Sequence, residues 1–281
     1  MNYAGWNLFG NVAGVAMGQG VNILLNLFFG PVVNAARGIA YQAKAAVNGF
    51  VINFQVAINP QIVKSYAANN IKYMHQLIFQ GSKYSFFLLL LITLPILLET
   101  EIILRWWLKI VPEYTVIFCR LILINTLIDC ISGPLMTAAQ ASGRIRKYQS
   151  IVGGLLLLIL PISYILLRMG LPPQTTLYVS ISVSIVALFA RLHIISPLVN
   201  LSIITFIRSV LFRVLLVAIT SIIFPIIIKY SINQDLIRFF AVCFVSFLSV
   251  TMTIYWVGLR IDEQIFMKGK LRQFVIKIKG R

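Results

Sequence analysis

The sequence predicts an all-α, polytopic membrane protein of about eight transmembrane helices. Of its 281 residues 59% are hydrophobic and only 11% are charged, less than half the charged share usual in soluble domains. Apolar stretches of about 20 residues recur along the whole length, each long enough to cross a ~30 Å hydrocarbon layer. Prolines and basic residues punctuate the connections, where a helix can stop at little cost. A transmembrane β-barrel would instead alternate apolar and polar positions in short segments.

The apolar segments run roughly over 8–29, 35–58, 84–104, 114–138, 148–168, 175–197, 210–229 and 237–258. The first carries Gly10, Gly14 and Gly18 on one helix face, so a neighbouring helix is expected to approach closely there. It also carries Gln19, and Asn22 and Asn26, four apart, line a polar stripe that should avoid lipid. The second segment holds Arg37, Gln42 and Lys44. Residues 59–83 are longer than a turn, and Ile71, Met74, Leu77 and Ile78 recur among Asn70, Lys72, His75 and Gln76. That spacing predicts an amphipathic helix on the inner membrane surface, with His75 on its polar face. Pro95, Pro134, Pro161 and Pro225 lie within predicted helices, and Gly133–Pro134 is the strongest hinge candidate. "SIITFIRSVLFR", before the seventh segment, is either a second interfacial stretch or an early helix start.

The net charge of +17 does not point to nucleic acid, because most basic residues sit in short connections, where they act as topology signals. Lys64, Lys72 and Lys83 follow the second segment, and Arg144, Arg146 and Lys147 follow the fourth. Arg208 and Arg213 precede the seventh, and the tail from Arg260 to Arg281 carries seven basic residues. The intervening connections are acidic, neutral or mixed, so both termini are expected on the cytoplasmic side. No basic region precedes the first apolar run, so no cleavable signal peptide is expected. Cys119 and Cys130 lie about 16 Å apart along one predicted helix and cannot bridge, and Cys243 stands alone.

Arg37 and Lys44, seven residues apart, share a helix face. Arg37 can snorkel to the outer headgroups, whereas Lys44, about two turns further in, costs at least ~2.5 kcal/mol unless it meets water or a partner. Asp129 is the one carboxylate deep within a segment, so a Lys44–Asp129 ion pair joining two helices is the structural alternative to a role in transport. Arg120 lies on nearly the opposite side of that helix, near its outer end, and Arg191 lies near the inner end of the sixth segment beside His193; either arginine could snorkel or line a cavity. No phosphate-binding loop, H-E-x-x-H motif, paired-cysteine motif or cluster of histidines and carboxylates occurs. Enzyme chemistry, a cofactor and a metal are therefore not expected, and transport is favoured.

"WNLFGNVAGVAMGQGVNILLNLFFGPVVNAARGIAYQ", continuing through "NPQIVKSYA", resembles the start of the second half of a polysaccharide-biosynthesis flippase. That is the O-antigen (Wzx-type) branch of the MATE-like multidrug/oligosaccharidyl-lipid/polysaccharide exporter superfamily, and "LMTAAQASGRIRKYQ" fits the same pattern. The resemblance implies a bacterial inner-membrane protein of two six-helix lobes that moves an undecaprenyl-pyrophosphate-linked oligosaccharide outwards by alternating access. On that reading residues 1–200 form the second lobe, 201–258 two additional transmembrane helices, and 259–281 a basic cytoplasmic tail. A basic lumen would handle the anionic substrate, with Arg37, Lys44 and Arg120 as matching cations. Asp129, Asn22, Asn26 and Gln42 join them as candidate cavity residues. The first lobe is absent, so the partners implied are membrane lipids, the lipid-linked oligosaccharide, and either that lobe or a second copy. A cation-coupled multidrug exporter of the same fold, or a truncated remnant that transports nothing, are the alternatives.

Overall fold

A computed structural model describes residues 3–265. The described residues form helices joined by short connections: α1 (Tyr3–Phe29), α2 (Pro31–Ala67), α3 (Ile71–Leu98), α4 (Thr100–Trp107), α5 (Thr115–Cys130), α6 (Gly133–Ala141), α7 (Arg146–Arg168), α8 (Thr175–Val199), α9 (Ile203–Phe206), α10 (Phe212–Ser231) and α11 (Asp235–Thr253). A π-helical turn over Ile207–Leu211 joins α9 to α10, and another over Ile254–Gly258 extends α11. Counting α5 with α6 and α9 with α10, seven helices are long and apolar enough to cross a membrane. The chain is an all-α, multi-pass membrane protein. The predicted second segment corresponds to α2, the longest helix at 37 residues, which falls outside that set. Its asparagines, glutamines and cations dilute the apolar residues along its whole length.

The turns follow from local chemistry. Gly30 has φ 79°, a conformation favouring glycine, and Pro31 then starts α2 where a helix needs no backbone N–H. The Asn70 side chain accepts from the Tyr73 backbone N–H at 3.2 Å and caps α3. Ser202 does the same for α9, accepting from Thr205.

The connection over 59–83 differs from the predicted surface helix. α2 continues to Ala67 and α3 begins at Ile71, so the two long helices form a hairpin closed by three residues. Met74 and Ile78 are fully buried, so the apolar face of this stretch packs into the bundle and not onto lipid. His75 reaches across to the Val199 carbonyl at 2.7 Å, at the end of α8, where helix carbonyls lack intrahelical partners. The stretch before the seventh segment is an early helix start, since α9, the π-turn and α10 run without interruption.

α3 is the central helix, packed against α2, α5, α6, α10 and α11. α1 lies mainly on α7, and α8 packs on α5 and α7. One apolar core gathers around α3, with Phe86, Leu89 and Leu90 against Leu123, Leu192, Val217 and Val250. A second lies between α1, the first half of α2, α5, α7 and α8, around Leu25, Ala36, Ala40, Phe118 and Ile159. Cys119 and Cys130 are buried free thiols within these cores, and Cys243 is also free.

The glycine face on α1 divides. A Cβ on Gly10 would meet the Gln149 side chain of α7, so Gly10 permits the expected close approach. Gly14 and Gly18 have nothing within 4 Å of an added Cβ, so nothing among the described residues packs on them. The helix contact is carried by Gly10, Gly20 and Gly153 instead.

Candidate functional site

The predicted fourth segment breaks at Ile131–Ser132 into α5 and α6, at the place the Gly133–Pro134 pair marks. Pro134 has no N–H to give the Cys130 carbonyl four residues earlier. Gln55 of α2 supplies the donor: its Nε2 lies 3.0 Å from that carbonyl and 2.9 Å from Ser85 Oγ on α3. Gly133 leaves the room Gln55 needs, since an added Cβ would collide with the Gln55 amide. Pro134 is buried against Gly81 of α3. On the other side of the break, Arg191 of α8 donates to Ser132 Oγ at 3.0 Å. Gln55 of α2 thus satisfies the one carbonyl that the interrupted helix leaves open, and Arg191 of α8 holds the Ser132 side chain at the break.

Asp129 stands one turn before Gly133 and accepts from Asn125 Nδ2 at 3.0 Å. The charges of Lys44 and Arg191 both reach it, and the Ser184 hydroxyl of α8 faces it. The Lys44–Asp129 ion pair weighed from the sequence is not formed: no N···O contact within 4.0 Å joins them. Lys44 is half-buried, and its Nζ lies 5.4 Å from the Tyr41 ring centroid. Arg191, for which snorkelling was one expectation, is committed inwards to Ser132.

Arg37 is buried and locks α2 to α1. Its Nη1 donates to Asn22 Oδ1, its Nη2 donates to Tyr41 OH at 3.1 Å, and the guanidinium stacks over the Tyr41 ring at 4.5 Å. Asn22 also donates to Gln19, and its backbone carbonyl accepts from Asn34 at 3.0 Å. The predicted polar stripe on α1 therefore splits: Asn22 is engaged by Arg37 and Asn34 of α2, while Asn26 is exposed.

The candidate cavity residues do not converge on one pocket. Arg120 lines a charged cavity with Glu99, Lys229 and Arg238, to which neither Arg37 nor Lys44 contributes. Gln42 edges a different, apolar crevice of about 310 Å³ between α2, α4 and α5. Arg37, Lys44 and Gln55 share the inward side of α2, and Gly38, Gln42, Ala45, Gly49 and Asn53 form a stripe on its opposite, open side. A Cβ added to Gly38 or Gly49 meets nothing within 4 Å.

Gln55, Ser132 and Ser184 were not singled out from the sequence. Pro134 was the available signal, because a proline four residues after Cys130 announces a carbonyl in need of a donor. No local pattern says that α2 provides it.

No family model, curated protein or solved structure matches the chain.

Proposed function

We propose that this chain is one lobe of a flippase for a lipid-linked, pyrophosphate-bearing oligosaccharide in the bacterial inner membrane. The observation that supports this reading is the composition of α2. It is the longest helix of the bundle and packs centrally against α3, α5 and α6, yet it is too polar to be a lipid-facing span. One of its edges carries Lys44, half-buried, about 20 Å from the start of the helix, and without a carboxylate partner. A lysine at that depth needs water or an anion. Its open side carries one stripe of five small or polar residues, Gly38, Gln42, Ala45, Gly49 and Asn53, beside exposed Phe50, Ile52 and Val56. A water-filled lumen between this lobe and a second lobe, or a second copy of the chain, accommodates both features.

The pyrophosphate of such a carrier would meet Lys44, the partly exposed cation of α2, through a charge-assisted hydrogen bond, while Arg37 stays buried against Asn22 and Tyr41. Asp129 has Lys44 and Arg191 within electrostatic reach, which disfavours a binding site for cationic drugs at that place.

The test is binding of an undecaprenyl-pyrophosphate-linked oligosaccharide to the chain in nanodiscs. Lys44→Ala is expected to weaken binding about tenfold, corresponding to one charge-assisted contact of about 1.4 kcal/mol. Arg191→Ala, whose side chain is committed to Ser132, is expected to weaken it less than threefold. Binding that is absent in the wild type, or equally weakened by both substitutions, contradicts the reading.

A further inference from the structure

The end of the bundle opposite the α2–α3 hairpin carries a cavity of about 310 Å³ bounded by the α3–α4 junction, α5, α10 and α11. Its wall is unusually charged for a membrane protein, with four cations and three carboxylates. The carboxylates are already engaged. Glu101 pairs with Arg105 at 2.5 Å, Asp235 with Arg238 at 2.8 Å, and the buried Glu99 with Arg238 Nε at 3.5 Å. Arg238 thus answers two carboxylates, Glu99 Oε1 and Arg238 Nε make no hydrogen bond, and the wall as a whole keeps a single net positive charge.

Two cations contact no carboxylate within 4.0 Å. Lys229, in the last turn of α10, donates to the Leu98 carbonyl at 2.5 Å and pairs with no carboxylate. Arg120 projects from the second turn of α5, and its Nε is buried without a hydrogen-bond partner. An ammonium and a guanidinium converging on one cavity of net positive charge, with spare donors and no carboxylate in direct contact, are a matched pair for a tetrahedral oxyanion.

The location narrows the source. Trp106 and Trp107 at the end of α4, and Tyr230 at the end of α10, are exposed around this end of the bundle. Exposed aromatic side chains of this kind sit at headgroup level in a bilayer. A lipid phosphate at that height can enter the cavity while its acyl chains stay against the apolar outer faces of α10 and α11.

We propose that this cavity binds a phosphate group, presented by the headgroup of an anionic phospholipid, with Arg120 and Lys229 as its binding residues. The site is independent of the lumen reading, since neither Arg37 nor Lys44 lines it.

The full chain in nanodiscs of mixed phosphatidylglycerol and phosphatidylcholine, analysed by native mass spectrometry for retained lipid, tests this. The wild type is expected to retain phosphatidylglycerol over phosphatidylcholine by about tenfold. Arg120→Gln and Lys229→Gln are each expected to abolish that preference, while Arg168→Gln, an exposed cation at the same end, leaves it unchanged. Addition of inorganic phosphate separates the sources: retention that survives assigns the lipid, and retention that is displaced assigns the free ion to the same two residues. Should Arg120→Gln fail to fold, the wild-type preference and Lys229→Gln decide alone. No preference in the wild type, or equal loss in Arg168→Gln, overturns the proposal.

Discussion

Gln55 illustrates how one side chain can stabilise an interrupted helix. Its amide occupies the place of the N–H that Pro134 lacks, and it simultaneously ties α2 to Ser85 of α3. Gln55→Leu leaves the Cys130 carbonyl buried without a donor, at a cost of about 1–3 kcal/mol. Pro134→Ala restores a backbone N–H four residues after that carbonyl, so in this background Gln55→Leu is expected to cost less. Thermal unfolding of the detergent-solubilised single and double variants measures the coupling. Equal losses in both backgrounds would show that Gln55 acts through Ser85 alone. The break itself was legible in the sequence, because Gly133–Pro134 marks it. Its supports were not, because Gln55 and Arg191 are separated from it by tens of residues, and only tertiary packing brings them there.

Among the elements, α3 extends the lesson from residues to helices. The spacing of Ile71, Met74 and Ile78 correctly indicates a helix with one apolar face. What that face meets is not encoded locally, and here it meets the core of the bundle. Lys83, in the middle of α3, is buried, and its Nζ contacts Glu263 Oε2 at 2.5 Å, just beyond α11, with side-chain exposures of 3% and 10%. Glu263 also accepts from the Arg260 backbone N–H at 2.7 Å, so it both starts the helical turn over 261–265 and anchors it to α3. The predicted basic tail lies outside the described residues from 266 onwards. Burial alone would push the Glu263 carboxyl up, but the Lys83 hydrogen bond and the Arg260 N–H together hold it below the ordinary carboxylate range. A carboxyl depressed in the folded state contributes stability above its unfolded value of about 4.3 and loses that contribution as pH falls through the folded value. Hydrogen exchange over 259–265 is therefore expected to be unchanged between pH 7 and 5 once corrected for intrinsic rates, and to accelerate below pH 4. Glu263→Gln should show accelerated exchange at every pH, because Lys83 is left buried without its counter-charge. Acceleration that begins near pH 6 would contradict the assignment.

At the scale of the whole molecule, the helical path places the connections around 68–70, 142–145 and 200–202 at one end of the bundle. Those around 30, 108–114, 169–174 and 232–234 lie at the other. The first set borders the basic residues Lys64, Lys72, Arg144, Arg146 and Lys147, so it is expected in the cytoplasm together with both termini. Single cysteines at Glu113 and Gln174, on a background free of Cys119, Cys130 and Cys243, should react with an impermeant maleimide in intact cells. A cysteine at Ser142 should not, and its labelling would reverse the orientation. The all-helical, multi-pass architecture was readable from composition and apolar run length. The proposed distinction between helices that face lipid and one that faces a lumen rests on α2 alone, whose low apolar content departs from the other long helices described. That distinction is the centre of the account, and water-soluble maleimide reactivity in native membranes tests it most directly. Cysteines at Gln42 and Asn53, on the open stripe of α2, are compared with one at Ile223, exposed on α10. The account predicts rapid labelling at Gln42 and Asn53, slowed by the lipid-linked oligosaccharide, and little at Ile223. If Gln42 and Asn53 prove as unreactive as Ile223, then α2 faces lipid and the lumen does not exist.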